Sequence, residues 1–544
     1  MGFILVLSSI FILLLSWCSS CMSLVQSQSG GSTNGTDRLA LLAIKARIST
    51  DPFHVMSSWN DSIPYCEWPG VICGGRRHPN RVRALRLQSS KLVGSLAPEI
   101  GNLSFLQEIS IYNNSFNGEI PHEVSFLFRL RYLKLFNNSF EGEIPSNISR
   151  CSNLIELDLG SNNIVGKIPI EFGTLSKLQF LSINGNKLTG QIPSSFGNLS
   201  SLYTISAGSN DFSGSIPDSL GQMARLMILA IGENKLSGTI PPTIYNLSSL
   251  TAFDVGFNNQ LQGSLPPNLG LTLPNLWWFS IARNQFHGSI PISISNLSKI
   301  QTLLIGKNHF TGKVAINFGG LSKLTSFALD TNHLGSGKAD DLNFINTLTN
   351  CSSLTDLVLS HNWFGGVVPN SIANLSTQLR ILELSTNQIS GNIPVGIENL
   401  VSLQSVGFSS NLLEGSIPTS IGRLPWLYGL YLDGNRFTGP IPSSLGNLTL
   451  LIELSLGDNR LQGRIPSSLG NLTLLNALAL NDNRLQGRMP SGLARCKYML
   501  FLDIIACKEE CLQVLQDANI CYSWTFLVTV SMVSSPKRYF ISTR

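Results

Sequence analysis

Residues 106–121 read LQEISIYNNSFNGEIP, residues 130–145 read LRYLKLFNNSFEGEIP and residues 154–169 read LIELDLGSNNIVGKIP. The three segments start 24 residues apart and share the pattern LxxLxLxxNxLxGxIP. The same block recurs from about Val82 to Pro490. A fixed period of this length is typical of a stack of equivalent coils and not of a conventional globule.

One asparagine of the block can be followed through the whole stack. We expect it to lie in a buried turn, where a short amide can bond backbone groups that a regular sheet leaves unpaired. A row of such residues predicts an internal hydrogen-bonded spine. Ser90 takes the asparagine's place in one earlier coil, which gives about 17 coils over residues 82–500. The asparagines are Asn114, Asn138, Asn162, Asn186, Asn210, Asn234, Asn258, Asn284, Asn308, Asn332, Asn362, Asn387, Asn411, Asn435, Asn459 and Asn483.

Each block predicts one short strand followed by a turn. Leu133 and Leu135 should point into the core, and Lys134 should face solvent, because strand side chains alternate between faces. Stacked strands give one long parallel sheet. Glycine and then Ile-Pro follow, as at Gly118, so unusual backbone angles and interrupted pairing predict a convex side that is irregular or briefly helical.

The two ends of the chain differ from the repeats. Residues 1–26 form an apolar run with small polar residues behind it, which predicts a cleaved signal peptide and entry into the secretory pathway, although the cleavage site stays open. Residues 35–75 are expected to cap the stack, with Leu39, Leu41, Leu42, Ile44 and Ile48 on one helical face. This face, with Trp59 and Trp68, would cover the open core.

The cap contains a pair of cysteines with the spacing of a local disulfide. Cys66 and Cys73 lie seven residues apart, and an oxidising compartment would favour the bond. A metal site is the rival interpretation, but a second pair of ligands is missing nearby. Cys151, Cys351 and Cys496 stand where other coils have leucine, so we expect them to be small buried residues.

A secreted chain exposes its Asn-x-Ser/Thr sequences to glycosylation. Seven of them recur at one phase of the block, on the convex side, at Asn102, Asn198, Asn246, Asn296, Asn374, Asn447 and Asn471. Six more lie out of that phase, at Asn34, Asn60, Asn113, Asn137, Asn147 and Asn350. We predict that many of the thirteen carry sugar.

Three segments carry a family resemblance. DRLALLAIK (residues 37–45), SSWN (residues 57–60) and CEWPGVIC (residues 66–73) resemble the N-terminal cap of plant leucine-rich-repeat receptor-like kinases. The block LxxLxLxxNxLxGxIP is similar to their plant-specific repeat. The segment LGSGKADDLNFINTLTNCSSL (residues 334–354) resembles an insertion of their pathogen-sensing subfamily XII.

The resemblance implies an α/β solenoid, a plant-type leucine-rich-repeat superhelix with a parallel concave β-sheet and a helical, disulfide-bonded N-terminal cap. It also implies a ligand-binding ectodomain at the plasma membrane exterior or in the apoplast. Its partners would be a peptide or microbial protein ligand and a co-receptor kinase ectodomain. A secreted cell-wall inhibitor of a microbial polysaccharide-degrading enzyme is the alternative function.

The 544 residues contain no kinase signature: neither a phosphate loop with a strand lysine, nor HRD, nor DFG. Asp211-Phe212-Ser213-Gly214 belongs to a repeat. We therefore expect no enzyme activity, no cofactor and no signalling output.

Residues 501–544 have no repeat character, and Tyr522 to Val533 are fewer than the roughly 20 apolar residues of a membrane span. Membrane attachment would need a missing or degenerate C-terminal segment, and a net charge of +5 predicts no nucleic acid.

Two sets of surface residues were candidates for a site. His309 and His333 hold equivalent positions on adjacent coils, but Gln285 and Trp363 flank them, so we expect solvated imidazoles and no metal site.

The better candidate is a set of aromatic and basic residues on the concave side. Phe257, Trp277 and Trp278 sit beside Arg283 and Lys307, which predicts a ligand site whose basic pair meets a carboxylate or sulfate. Ordinary surface scatter and glycan packing are the alternatives. A second aromatic group comprises Tyr428 and Tyr431.

Overall fold

The computed structural model describes residues 33–75, 77–487 and 489–495. The predicted signal peptide, the predicted tail and Cys496 lie outside the described residues. In the part of the chain that is described, none of the helices combines the length and the hydropathy that a membrane span requires.

Each coil contributes one strand to a parallel sheet along the concave side, as predicted. Leu133 and Leu135 are buried, whereas Lys134 between them is partly exposed. The register advances one coil at a time, so that Leu133 pairs with Leu157. The strands are Val82–Arg86, Glu108–Ser110, Tyr132–Lys134, Glu156–Asp158, Phe180–Ser182, Thr204–Ser206, Ile228–Ala230, Ala252–Asp254, Trp278–Ser280, Thr302–Leu304, Ser326–Ala328, Asp356–Val358, Ile381–Glu383, Ser405–Gly407, Gly429–Tyr431, Glu453–Ser455 and Ala477–Ala479.

The asparagine spine is confirmed, and Asn186 shows its geometry. Its Oδ1 atom accepts a hydrogen bond from the backbone N–H of Ile164. Its Nδ2 atom donates to the carbonyl oxygens of Leu159 and Ile183. Two of these partners belong to the preceding coil and one to the same coil. The set repeats from Asn114 to Asn483, so the spine satisfies backbone groups inside a stack that water does not reach.

A second row of short parallel strands follows the spine, which the sequence analysis did not predict. Glycines such as Gly118, Gly142 and Gly166, with φ of 73°, 75° and 81°, turn the chain there. The backbone between asparagine and glycine then lies beside its counterpart in the next coil. These strands are Val93–Ser95, Ser115–Glu119, Ser139–Glu141, Thr189–Gly190, Asp211–Ser215, Lys235–Thr239, Gln260–Gly263, Gln285–Gly288, His309–Gly312, His333–Leu334, Ser390–Gly391, Leu412–Leu413, Gln462–Arg464 and Arg484–Gln486.

The convex side carries brief helices, as predicted. Most begin directly after the proline of Ile-Pro, whose carbonyl oxygen accepts the first hydrogen bond of the helix, as that of Pro121 does from the N–H of Val124. The 3₁₀ helices are Pro98–Asn102, His122–Phe126, Ser146–Arg150, Ile170–Thr174, Ser194–Asn198, Asp218–Gln222, Ile244–Asn246, Ile292–Asn296, Phe318–Gly320, Asn370–Asn374, Val395–Asn399, Thr419–Arg423, Ser443–Asn447, Ser467–Asn471 and Ser491–Arg495, and α-helical turns at Leu269–Thr272 and Ile345–Leu348 replace them in two coils.

The N-terminal cap begins with the α-helix Thr33–Ala46. Its buried face differs from the predicted one: Leu39 is 63% exposed, and Ala40 is buried in its place. The inward positions are 37, 40, 41 and 44, the spacing of a single helical face. Ile48 belongs to a separate strand, Ile48–Thr50, which pairs with Val93–Ser95.

Three contacts fasten the cap. Cys66 and Cys73 form the predicted disulfide, with their Cα atoms 5.4 Å apart. Trp59 and Trp68 are buried and stack at 5.3 Å. The 3₁₀ turn Tyr65–Glu67 leads to the strand Val71–Cys73, which pairs antiparallel with the first strand of the stack. The cap therefore covers the apolar end that an open solenoid would expose.

The insertion between Asn332 and Asn362 packs into the core. The ring of Phe344 lies 6.1 Å from that of Phe318 and 5.9 Å from that of Phe364. The buried Asp341 accepts backbone hydrogen bonds from Ser336, Lys338 and Gly365. The longer coil is thus closed by its own side chains.

Cys151 and Cys351 are buried, as predicted from their leucine positions. The Sγ atom of Cys151 lies 3.4 Å from the carbonyl oxygen of Val124. Burial raises the pKa of the Cys151 thiol to about 12 and that of Cys351 to about 11. Both thiols are therefore poor nucleophiles.

Candidate ligand-binding surface

A groove of about 310 Å³ on the concave sheet is lined by residues of six consecutive coils, among them Phe257 and Trp278. Trp278 begins a strand whose register places it between Ala252 and Thr302 of the neighbouring coils. Beneath this surface the buried rings of Phe253 and Phe279 stack at 5.8 Å. The groove is thus supported by packed core and has two aromatic side chains in its walls.

Glycines keep the groove floor open. Gly208, Gly232 and Gly256 hold the same position in three consecutive coils. A Cβ atom on Gly232 would lie 2.9 Å from the Asp254 carboxylate and 2.9 Å from the carbonyl oxygen of Gly256. Larger side chains would therefore fill part of the groove. Glycine at one phase of three successive blocks was the sequence feature that could have revealed this floor.

Phe257 stands in an unusual backbone position. The residue before the spine asparagine takes a left-handed conformation in most coils, and Phe257 has a φ of 58°. The same position holds Asn113 and Asn137, whose side chains tolerate this region well, and also larger side chains such as Arg283 and Lys307. An aromatic ring that is 40% exposed there contributes little to the core. The Phe257 ring is therefore available at the surface of the groove.

Two carboxylates that the sequence analysis missed lie in the same groove. Burial raises the pKa of Asp254, against hydrogen bonds from the Gly256 backbone, Ser280 and Trp278 that lower it. Glu233 accepts a hydrogen bond from the Ser209 hydroxyl. The floor is therefore rich in hydrogen-bond acceptors, which suit a donor or cationic group of a ligand.

The predicted cluster divides in the structure. The Arg283 guanidinium lies 5.8 Å from the ring centre of Phe257, so it lies beside one of the lining residues without lining the groove itself. The Lys307 Nζ atom lies 4.0 Å from the Asp330 carboxylate. Trp277 contacts Trp278 edge to face, with ring centres 5.8 Å apart, but does not line the groove. Phe257, Trp278 and Arg283 thus form the core of the candidate site.

Tyr428 and Tyr431 occupy different positions of one coil. Tyr428 precedes the strand at the place that Trp277 holds in its own coil, and Tyr431 ends the strand. The Tyr431 hydroxyl donates to a carboxylate oxygen of Glu453 at 2.6 Å. Their use in binding stays a prediction.

His309 and His333 lie beside each other, with stacked rings 5.8 Å apart. The ring of Trp363 lies 4.9 Å from that of His333. Across the described ranges, no group of three or more His, Cys, Asp or Glu side chains is placed to hold a metal ion.

The described acceptor asparagines are exposed, and those of the shared phase end the convex helices, as at Asn102 and Asn198. Asn350 needs a correction, because it lies 12 residues before Asn362 just as Asn102 lies 12 before Asn114. It therefore belongs to the shared phase, and the inserted residues precede it. The side chain of Asn34 lies outside the described part.

Family models match the chain in three groups. The model described as leucine rich repeat N-terminal domain matches residues 34–74, and that described as leucine-rich repeat region matches residues 121–237. The leucine rich repeat model matches residues 353–375, 378–400, 426–448 and 450–472.

Among curated relatives, the LRR receptor-like serine/threonine-protein kinase EFR of Arabidopsis thaliana is 47% identical over 85 residues, 15% of this chain and 8% of the relative. The chain spans less than a tenth of the length of the curated relatives that it matches first.

Two solved structures match over most of their length. The plant peptide hormone receptor RGFR1 in complex with RGF2 is 34% identical, with 81% of this chain and 72% of that chain covered and a TM-score of 0.66. The Arabidopsis receptor kinase HAESA in complex with the peptide hormone IDA and the co-receptor SERK1 is 30% identical, with 85% of each chain covered and a TM-score of 0.64. With its disulfide-bonded cap, asparagine spine and parallel concave sheet, the chain belongs to the plant leucine-rich-repeat receptor-like kinases and matches their ectodomains.

Proposed function

We propose that the chain is a ligand-binding receptor ectodomain, and that the groove lined by Phe257 and Trp278 binds a segment of a peptide or of a microbial protein. The observation that carries the proposal is a groove with a glycine floor that has two aromatic side chains in its lining. A flat floor admits an extended backbone, and large rings anchor interfaces at low entropic cost.

Charge in and around the groove suggests the orientation of the ligand. Asp254 and Glu233 offer acceptors to a basic side chain or to backbone donors. Arg283 at the border suits a carboxylate or sulfate. We therefore expect a segment with a donor group in the groove and an acidic group near Arg283.

The solved relatives support this class of ligand and suggest a second partner. RGFR1 and HAESA were each solved with a peptide hormone, and HAESA also with the co-receptor SERK1. We propose by similarity that this chain binds a peptide-type ligand outside the plasma membrane or in the apoplast. A co-receptor kinase ectodomain would be its second partner.

The test is a selection of displayed peptides on the purified secreted chain, followed by calorimetry with the enriched peptides. The double variant Trp278→Ala with Arg283→Ala should be secreted normally and should weaken binding at least tenfold. The matched control is Trp363→Ala with Arg436→Ala, which removes an exposed tryptophan and arginine elsewhere. Equal affinity of the parent and the Trp278/Arg283 variant would contradict the groove as the site.

A further inference from the structure

A second depression lies outside the concave groove. It has a volume of about 500 Å³ and is lined by Thr355, Gln378, Arg380, Ser402, Gln404 and Trp426. These residues lead into the strands of their coils and do not belong to them. They are part of what we call the leading flank. In every coil the leading flank comprises one residue directly before and one directly after the leucine that precedes the strand, such as Arg129 and Arg131 on the two sides of Leu130.

The side chains of this depression have the chemistry of a sugar-binding site. Trp426 is 58% exposed and offers a flat apolar face. The Arg380 guanidinium and the Gln378 and Gln404 amides make no side-chain hydrogen bond or ion pair within the described ranges. A ring for the apolar face of a sugar, amides for its hydroxyls and a guanidinium for a carboxylate together fit an acidic sugar.

The leading flank continues from the depression as a cationic row. Neither of its two positions holds Asp or Glu in any coil from Leu106 to Leu475. Its exposed cations take part in none of the ion pairs found in the described residues. The cations are Arg129, Arg131, Lys177, Arg225, Lys299 and Lys323.

The partners that these cations do have are neutral. Lys177 donates to the Asn153 side chain at 2.7 Å, and the Arg129 guanidinium lies 4.0 Å from the Phe105 ring centre. Arg129, Lys177 and Arg225 are separated by two coils each, or about 10 Å at the usual spacing of parallel strands. The spacing then changes, because Lys299 follows Arg225 after three coils and Lys323 follows Lys299 after one. A row of cations without acidic partners fits a linear polymer that carries repeated negative charges.

Glycosylation acceptors avoid the row. In the coils with Arg129, Lys177, Arg225 and Lys323, the convex position that elsewhere starts an Asn-x-Ser/Thr sequence holds another residue. Asn296 with Lys299 is the exception. Arg129, Lys177, Arg225 and Lys323 thus have no acceptor at the convex position of their own coils, whereas Arg380 has Asn374.

We propose that the leading flank binds a linear polysaccharide of uronic acid residues, which Trp426 and Arg380 seat in the depression and which the cationic row extends. A polysaccharide fits better than an acidic protein, because serines and single exposed rings such as Tyr203 and Trp277 lie between the cations. Over the coils that carry the cations, such a surface offers hydroxyl partners and stacking faces but no continuous apolar centre. The exposed apolar side chains of the flank are concentrated at and after the depression, at Trp426, Tyr428, Leu450, Ile452 and Leu474. The proposal is independent of the peptide groove, which lies on another surface.

The experiment measures binding of an oligogalacturonide of about ten residues to the full glycosylated chain at physiological salt. An uncharged malto-oligosaccharide and a polyglutamate of equal length serve as comparison probes. We expect binding of the oligogalacturonide alone. Trp426→Ala and Arg380→Gln should each weaken it at least tenfold, and Lys177→Gln with Arg225→Gln should weaken it severalfold. Trp363→Ala and Arg436→Gln are the matched controls.

Three outcomes would overturn the proposal. Equal binding of polyglutamate would show a general response to negative charge. Unchanged affinity of the Trp426 and Arg380 variants for the oligogalacturonide would show that the depression is not part of the binding site. Binding that appears only in Asn374→Gln would mean that the glycan of that residue occupies the flank.

Discussion

The Oδ1 atom of Asn186 accepts a hydrogen bond from the backbone N–H of Ile164, 3.0 Å away in the preceding coil. The Nδ2 atom of the same side chain donates to the Leu159 carbonyl of that coil, also at 3.0 Å. One amide therefore binds a donor and an acceptor of the preceding coil, and it shares the Leu159 carbonyl with the side chain of Asn162. Because the pattern repeats, neighbouring coils are joined by polar bonds as well as by leucine packing.

We predict that Asn186→Ala destabilises the stack by on the order of 2 kcal/mol, because the backbone N–H of Ile164 would lose its partner inside the stack. Asn163→Ala removes an exposed amide of the preceding coil and should change stability by less than about 0.5 kcal/mol. Denaturant unfolding of both variants gives the comparison. Equal stability of the two would mean that the spine is dispensable.

Asp254 predicts a pH dependence of stability. Burial raises its pKa above the ordinary value of 3.8, against opposing hydrogen bonds, so the folded chain holds this proton more tightly than the unfolded chain does. The stability that the protonated Asp254 side chain contributes is complete below the ordinary pKa of 3.8 and is lost as the pH rises through the raised pKa of the folded chain. Asp254→Asn keeps an uncharged side chain, and its melting temperature relative to the parent should rise between pH 4 and 7.

Asp218→Asn removes an exposed carboxylate from a convex helix and is the control for that series. Its melting temperature should follow that of the parent at each pH. A constant difference between Asp254→Asn and the parent across the range would contradict the effect of burial.

Cys151 should resist alkylation in the folded chain. With a pKa raised to about 12 from 9.0, its thiolate fraction at pH 8 falls roughly a thousandfold, and burial also blocks access. Peptide mass spectrometry after iodoacetamide treatment should find it unmodified in native protein and modified after denaturation. Rapid modification of native protein would show that this part of the core opens.

Glycan occupancy should differ between the two sides of the solenoid. Acceptors at the ends of convex helices, such as Asn198 and Asn471, are exposed and should be occupied in secreted protein. Asn113 and Asn137 stand in left-handed turns, and the Asn137 amide donates to the Asn113 side chain at 2.8 Å. We expect lower occupancy at these two, measured by glycopeptide mass spectrometry; equal occupancy would show that this bond does not hinder transfer.

The sequence predicted features whose cause is repeated in every block. Leu133 and Asn186 each meet the same requirement as their counterparts in other coils, so the core, the sheet and the spine followed from periodicity. The cap disulfide followed from the spacing of Cys66 and Cys73. Leu39 was misplaced because a single helix has no repeat to fix its phase, and Ala40 has too small a side chain to reveal the buried face.

The candidate site was only partly predictable, because it depends on alignment across coils. Phe257 and Trp278 were selected as exposed aromatic residues, but Trp277 was grouped with them although it turns to the flank. Asp254 and the glycine floor acquire meaning only when several coils are superimposed. The exposure of a side chain can be predicted from a single block of the sequence. Predicting a groove requires the relative positions of side chains from at least three coils.

Because each coil contacts only its neighbours, the molecule can change length in whole coils. Residues 443–466 and 467–490 share 19 of 24 amino acids, as expected of a duplicated segment. Four of the five differences, at Asn476, Ala477, Ala479 and Asn481, lie on the strand or directly beside it. Copying a coil therefore reproduces the scaffold intact, while a few point changes on the duplicate supply a new strip of recognition surface.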